Sequence, residues 1–249
     1  MATQVNVKSP KMFALVLMIG GFMGLFSETA LNMALTDIMA DFKVSAATVQ
    51  WLTTGYLLVM ACLVPASSYL IKGFSTKTLI VSGILLSLLG VVIGALAPNF
   101  GLLLLGRLIQ ALGTGILLPI MVTVLMLIFP IEKRGAVMGI MGLVITAGPA
   151  LGPTLSGVII SASSWHYIFW ISAVLYLVVL GLAFTNTENV GEISKPKIDI
   201  LSICLSTIGF AGLIFALSSM AEAAFKKCYR LATISHRYPS LNHLCCTSI

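Results

Sequence analysis

Seven stretches of this sequence stay apolar for the length needed to cross a bilayer, and that pattern decides what the chain can become. They fall near residues 12–35, 47–70, 78–97, 102–129, 136–161, 168–184 and 200–220. A helix of about 20 residues spans the ~30 Å of hydrocarbon. Nothing inside a membrane satisfies a bare peptide group, so a continuous span of this kind is helical. The connecting segments are short, which makes consecutive helices antiparallel neighbours. Composition points the same way: 9% of residues are charged and mean hydropathy is +1.08, against about 25% charged in soluble domains. The expected fold class is an all-α integral membrane protein, a six-helix bundle followed by a seventh span.

The charges set the topology. Lys8, Lys11, Lys72, Lys77, Lys133, Arg134, Lys195 and Lys197 fall in gaps on one side, and only Lys43 falls on the other before residue 221. Basic loops stay inside, so the N-terminus is expected in the cytoplasm of a multi-pass protein of the cell membrane, its partner surface the lipid bilayer. The net charge of +6 forms no aromatic-interleaved patch, so nucleic acid is not an expected partner. No cleavage site ends the first apolar run, which should remain as an anchor. The expected organisation is a cytoplasmic N-terminus (1–11), a six-helix bundle (12–184), a cytoplasmic linker (185–198), a seventh span (199–220) and an atypical tail (221–249). The tail places Lys226, Lys227, Arg230 and Arg237 outside, against the rule the preceding chain obeys. Its Cys228, His236, His243, Cys245 and Cys246 match no metal-ligand spacing, so no metal is expected. The expectation is a tail without a selected function, such as out-of-frame translation after a frameshift would give.

Inside lipid an ionisable residue marks function by default. Glu28 lies in the first span with apolar turns on both sides. Its position suits a carboxyl that loads and releases protons, the alternative being structural glue between helices. Asn32, one turn on, is placed to hydrogen-bond it. Arg107 lies in the fourth span with Gln110 at i+3 and Gly113 beyond. A guanidinium stays charged and needs a carboxylate or several carbonyl partners, so communication with Glu28 is expected, although sequence does not fix direct contact. The alternative is that Arg107 snorkels to the outer face. Asp37 and Asp41 are expected in the outer loop, marking the end of the first span. Trp51 and Tyr56 are expected in an interfacial aromatic belt, and Trp165, His166, Tyr167 and Trp170 in an outer girdle. Met121, Met126, Met138 and Met141 read as packing. No nucleophile–base set or phosphate-binding loop is visible, so the chain is not expected to be an enzyme.

The fifth span carries Gly135 to Gly157, GAVMGIMGLVITAGPALGPTLSG. Gly148 and Gly152 share one helical face, as do Pro149 and Pro153. In lipid, small residues allow close helix approach and neighbours re-satisfy groups freed by proline. The stretch is either a kinked packing helix or a hinge or seal between two moving bundles.

These motifs resemble the N-terminal half of a major facilitator superfamily drug/proton antiporter of the fourteen-helix EmrB/QacA-type branch, and within it lincomycin-resistance-type efflux proteins. The GPALGPTLSG run of Gly148–Gly157, with Gly139 nine residues before Gly148, fits that family's fifth-helix antiporter motif. Arg107-x-x-Gln110-x-x-Gly113 is similar to its fourth-helix proton-coupling motif, with Ala111 at a usual glycine. Glu28-Thr-Ala-Leu-Asn32 resembles the first-helix motif, with Glu for the usual Asp. The 165–170 stretch and the 199–202 opening of the seventh span also fit. Lys72 stands where a gating Asp is expected, and no role is carried over to it. The resemblance implies a major facilitator-type bundle and alternating access. The implied function is proton-coupled export of amphipathic drugs, with protons as coupling ion and no other cofactor. Proton coupling falls to Glu28, Arg107 and Gln110, supported by Asn32 and Gly113. The hinge or seal falls to Gly139, Gly148, Pro149, Gly152, Pro153 and Gly157. Such a transporter needs two opposing bundles, so the chain is expected to be a truncated, inactive form unless self-association restores a cavity. The alternatives are a non-transporting fragment or a transporter of another small molecule.

Overall fold

A computed structural model of the chain describes residues 7–190 and two isolated positions, 209 and 212. The expected seventh span, most of the linker and the tail lie outside the described residues. All regular structure among those described is helical: α1 (Pro10–Phe42), α2 (Ala46–Val49), α3 (Trp51–Gly73), α4 (Thr76–Ala95), α5 (Phe100–Ile128), α6 (Ile131–Ala162) and α7 (His166–Asn186). Apart from the single turn α2, which leads directly into α3, each is long and apolar enough to cross a membrane, giving six spanning helices.

Local chemistry sets where they start. Pro10 occupies the first turn of α1, where its missing N–H costs nothing. Ser45, Ser75 and Asn99 cap α2, α4 and α5 by accepting from the backbone N–H of Thr48, Thr78 and Leu102 at 3.1, 3.2 and 2.9 Å. Two corrections concern the outer end of α1. The helix runs on to Phe42, so Asp37 and Asp41 are helical residues and not a loop. Hydropathy fades before the helix does, because turns above the hydrocarbon need no apolar side chains. Trp165, expected in a lipid-facing girdle, is buried at 2% exposure. Its indole N–H donates to Asp41 Oδ2 at 2.6 Å, and its ring packs against Phe42, His166 and Phe169. This clasp joins the C-terminal end of α1 to the N-terminal end of α7.

The bundle is held by close helix crossings. α5 packs against α4 and α3, and α1 against α6, α5 and α7. Without water to drive burial, helices in lipid associate through small-residue contact. Gly83, Ser87, Gly90 and Gly94 line the face of α4 that meets Gly106 and Gly113 of α5. A Cβ on Gly106 would sit 2.7 Å from the Gly90 carbonyl oxygen, and one on Gly90 would sit 2.8 Å from Gln110 Cα. These are backbone contacts, so no rotamer change relieves them. α6 meets α1 the same way: a Cβ added on Gly148 would lie 3.2 Å from the Phe26 backbone nitrogen, and one on Gly152 3.2 Å from that of Ala30. Pro149 and Pro153 lie on a different, exposed face of α6, which remains one continuous helix through both.

Two outcomes are expected. Gly106→Val destabilises the protein by about 3 kcal/mol or more, read as a lowered melting temperature in detergent. Gly181→Ala, which meets no atom within 4 Å, does not. Asp41→Ala and Trp165→Phe each cost about 1–3 kcal/mol. Because they break the same bond, the double variant should cost clearly less than their sum.

Candidate functional site

The polar residues of the bundle converge on one face of α5. Arg107, Gln110 and Thr114 recur at three- and seven-residue intervals, which stacks them on one side of the helix. All three are fully buried. α1 crosses this face where Gly24 meets Thr114, a contact only a glycine tolerates: a Cβ there would lie 3.0 Å from Thr114 Cβ. One turn further along α1, Ser27 comes opposite the arginine. Arg107 Nη1 donates to Gln110 Oε1 at 2.8 Å, to Ser27 Oγ at 3.1 Å and to the Ser27 carbonyl at 3.4 Å. Gln110 Nε2 donates to the same Ser27 hydroxyl at 2.9 Å.

The expected alternative of a snorkelling arginine is therefore wrong, since Arg107 is fully buried in the bundle. The close approach of α1, α4 and α5 leaves its side chain no route to the surface. Its direct partner on α1 is Ser27, and Glu28 makes no hydrogen bond to any of its nitrogens among the described residues. Glu28 is the next residue along α1. It is half-buried, close enough for its charge and that of Arg107 to be felt by one another. Asn32 does not bond Glu28 either. Its side-chain oxygen accepts from Thr53 Oγ1 of α3 at 2.8 Å and is exposed, since α3 passes beside that turn and offers a better-aligned donor. Gly113 stands at the crossing with α4, where an added Cβ would lie 2.7 Å from the Ser87 backbone nitrogen.

Tyr56 corrects the expectation of an interfacial belt. It is 0% exposed, whereas Trp51 is 44% exposed. The five-residue separation puts the two rings on nearly opposite faces of α3, and only Trp51 looks outward. The Tyr56 hydroxyl lies 2.8 Å from Thr114 Oγ1 and 3.2 Å from the Gly24 carbonyl oxygen, and Arg107 Cζ is 4.3 Å from its ring centroid. Thr114 in turn donates to the Gln110 carbonyl at 3.3 Å. Tyr176 of α7 and Ser87 of α4 complete the cluster, both fully buried. Sequence reasoning missed Ser27, Ser87, Thr114 and Tyr176, and misplaced Tyr56. The available signal was the periodicity of α5, which places Thr114 under Gln110, and the offset of Tyr56 from Trp51.

Beside this cluster is an open apolar cavity of about 450 Å³, lined by Leu25, Val64, Leu118, Pro119, Val122, Thr123 and Ile145. Leu25 and Glu28 lie three apart on α1, so the cavity and the carboxyl share one face of that helix. Of the fifth-span motif, Gly148 and Gly152 are buried against α1. Gly139 and Gly157 face open space, where an added Cβ would meet no atom within 4 Å.

The family model for the Major Facilitator Superfamily matches residues 17–225. Lincomycin resistance protein LmrB of Bacillus subtilis (strain 168) is 52% identical over 208 residues, covering 84% of this chain and 43% of its own. The Listeria monocytogenes protein of that name is 49% identical, covering 87% and 46%. A multidrug resistance protein B homolog of Mycobacterium tuberculosis (strain H37Rv) is 31% identical, covering 77% and 35%. The chain thus spans less than half the length of these curated relatives. Among solved structures, the peptide transporter POT in complex with sulfate aligns with TM-score 0.66 at 17% identity, covering 88% of this chain and 47% of that one. The human organic anion transporter MFSD10 aligns with TM-score 0.65 at 11% identity, covering 81% and 54%. Those identities speak to fold alone. With the family match covering most of the six described spanning helices, the chain belongs to the Major Facilitator Superfamily and is a multi-pass membrane protein.

Proposed function

We propose that this chain forms the N-terminal bundle of a drug exporter that exchanges protons for amphipathic antibiotics of the lincomycin type. The observation that carries the reading is Arg107, a permanent cation fully buried and bonded to Ser27, the residue next to Glu28 on α1. An arginine so placed alters how readily the neighbouring carboxyl holds its proton. Glu28 takes up and releases the proton, Arg107 senses its charge, and Gln110 and Ser27 hold Arg107 in place. The relatives named for lincomycin and multidrug resistance support the choice of cargo.

In this reading Asn32, on α1 and bonded to α3, and Gly113, on α5 at the crossing with α4, support the site. The buried glycines of α6 seal it against α1. The exposed face carrying Pro149 and Pro153, with Gly139 and Gly157 near it, meets a second bundle that moves during alternating access. The protein sits in the cell membrane with its N-terminus in the cytoplasm, as the basic loops direct. The proton is the coupling ion and no further cofactor is called for.

The test is lincomycin accumulation by a two-bundle exporter carrying this chain as its N-terminal half, in inverted membrane vesicles energised by a pH gradient. Glu28→Gln and Arg107→Ala should each reduce uphill accumulation by about a hundredfold while the protein still reaches the membrane. Uphill accumulation retained by either variant overturns the proton-coupling assignment. An unaltered parent that moves no lincomycin overturns the choice of cargo.

A further inference from the structure

α3 is the least obvious contributor to the arginine's environment, yet it supplies the one aromatic face in contact with the charge. Small residues bring α3 onto α5: a Cβ on Gly55 would lie 3.2 Å from Leu108 Cδ2, and one on Gly115 would lie 3.4 Å from Met60 Cα. This approach delivers Tyr56 into the bundle. Its ring lies beneath the guanidinium, with Arg107 Cζ 4.3 Å from the centroid. The Thr114 hydroxyl proton is directed to the Gln110 carbonyl, leaving Thr114 Oγ1 to accept from Tyr56. The tyrosine ring is thereby fixed in angle from its far end.

Arg107 itself is held loosely. Nη1 makes all of its hydrogen bonds, while Nε and Nη2 have no partner among the described residues. One nitrogen and one ring face therefore define its position. A cation–π contact gains strength where water is excluded, and here both partners are fully buried. The ionisable groups around the pair are Glu28 from α1 and Tyr176 from α7. α4 beyond Lys77 and α6 beyond Arg134 carry no charged residue.

We infer that Tyr56 is a positioning residue for the coupling step. Its ring holds the guanidinium in the Ser27–Gln110 seat while Glu28 is protonated and offers no negative charge. When Glu28 ionises, the two free guanidinium nitrogens turn to the carboxylate and the ring is released. The inference rests on the proton-coupling reading of Glu28 and Arg107. It adds that a neutral π face serves as the second, interchangeable partner of the cation.

Two measurements test it. The first is NMR of the protein labelled at arginine nitrogen, reading the ring-current shift of the Arg107 side-chain resonances, assigned by their loss in Arg107→Ala. Glu28→Gln, which mimics the protonated carboxyl, should show the shift. Tyr56→Leu should abolish it and Tyr56→Phe should keep it. In the unaltered protein the shift should shrink as Glu28 ionises with rising pH. The second is lincomycin transport in inverted vesicles by the two-bundle exporter carrying this chain as its N-terminal half. Tyr56→Leu should lower proton-driven accumulation about tenfold or more, while energy-independent lincomycin counterflow falls less than about threefold. Tyr56→Phe should restore accumulation. A ring-current shift that is the same whether Glu28 is neutral or ionised overturns the inference. Equal loss of accumulation and counterflow in Tyr56→Leu also overturns it, because that is the signature of a structural pin. Accumulation retained in Arg107→Ala defeats the underlying coupling assignment, an outcome distinct from both.

Discussion

A guanidinium that cannot lose its charge sits inside this bundle without a bonded carboxylate, and much of the architecture follows from that. Removing such a cation from water costs several kcal/mol unless dipoles and polarisable groups replace the lost hydration. Here the replacements come from separate helices: the Ser27 hydroxyl and carbonyl from α1, the Gln110 amide from α5 itself, and the Tyr56 ring from α3. Each must reach a charge that lies close to the axis of the bundle. That requires helix backbones nearer than ordinary side chains permit. Gly24 brings α1 onto Thr114, Gly55 and Gly115 bring α3 onto α5, and Gly90 and Gly106 bring α4 against the opposite side. The small residues and the buried charge are thus one design: the glycines would be needless cost in a helix if nothing had to be delivered to the centre.

α6 shows how one motif divides its work. Its glycines and prolines each repeat every four residues, but they are offset by one position, or about 100° around the helix. Gly148, Gly152 and Ser156 therefore face α1 and are buried, while Pro149 and Pro153 are exposed. The Ser156 hydroxyl donates back to the Gly152 carbonyl at 2.7 Å, so even the polar residue of this seam is satisfied within the helix and leaves α1 a smooth surface. The proline face is exposed, and each proline frees the carbonyl four residues before it.

The fold was legible because its governing signal, continuous apolarity over a bilayer's thickness, is local and one-dimensional. The turns were equally plain, with Ser75 and Asn99 capping where the runs restart. What sequence could not display was the depth and direction of single polar residues. Tyr56 and Trp165 are aromatic residues near the ends of spans, which is the composition of an interfacial belt. Both point inward instead: Thr114 partners the Tyr56 hydroxyl while the buried cation covers its ring, and the carboxylate of Asp41 partners the Trp165 indole. Arg107, Gln110 and Glu28 stood out because charge and amide groups are rare in lipid. Ser27 did not, since serine is common in membrane helices and only the crossing at Gly24 reveals what lies opposite it. Asn32 illustrates the limit of spacing arguments: one turn from Glu28 made a bond plausible, but Thr53 on another helix took the position.

In the exchange proposed above, the placement of Glu28 would let a proton and a drug influence one another without touching. Leu25, on the cavity wall, and Glu28 lie toward one face of α1, and Ser27, on the other side of the same helix, holds the guanidinium. A ligand that pushes on Leu25 displaces a rigid helix, and with it the seat of Arg107. Conversely, a change in the charge of Glu28 alters the force that Arg107 exerts on α1 at Ser27. The linkage is mechanical as well as electrostatic, and it runs through a helix held by glycine contacts on two sides, at Gly24 against α5 and opposite Gly152 of α6. Such contacts transmit displacement because they leave no flexible side chain to absorb it. An apolar cavity with no charged wall can in this way be coupled to protons while remaining indifferent to the exact polar pattern of what it carries.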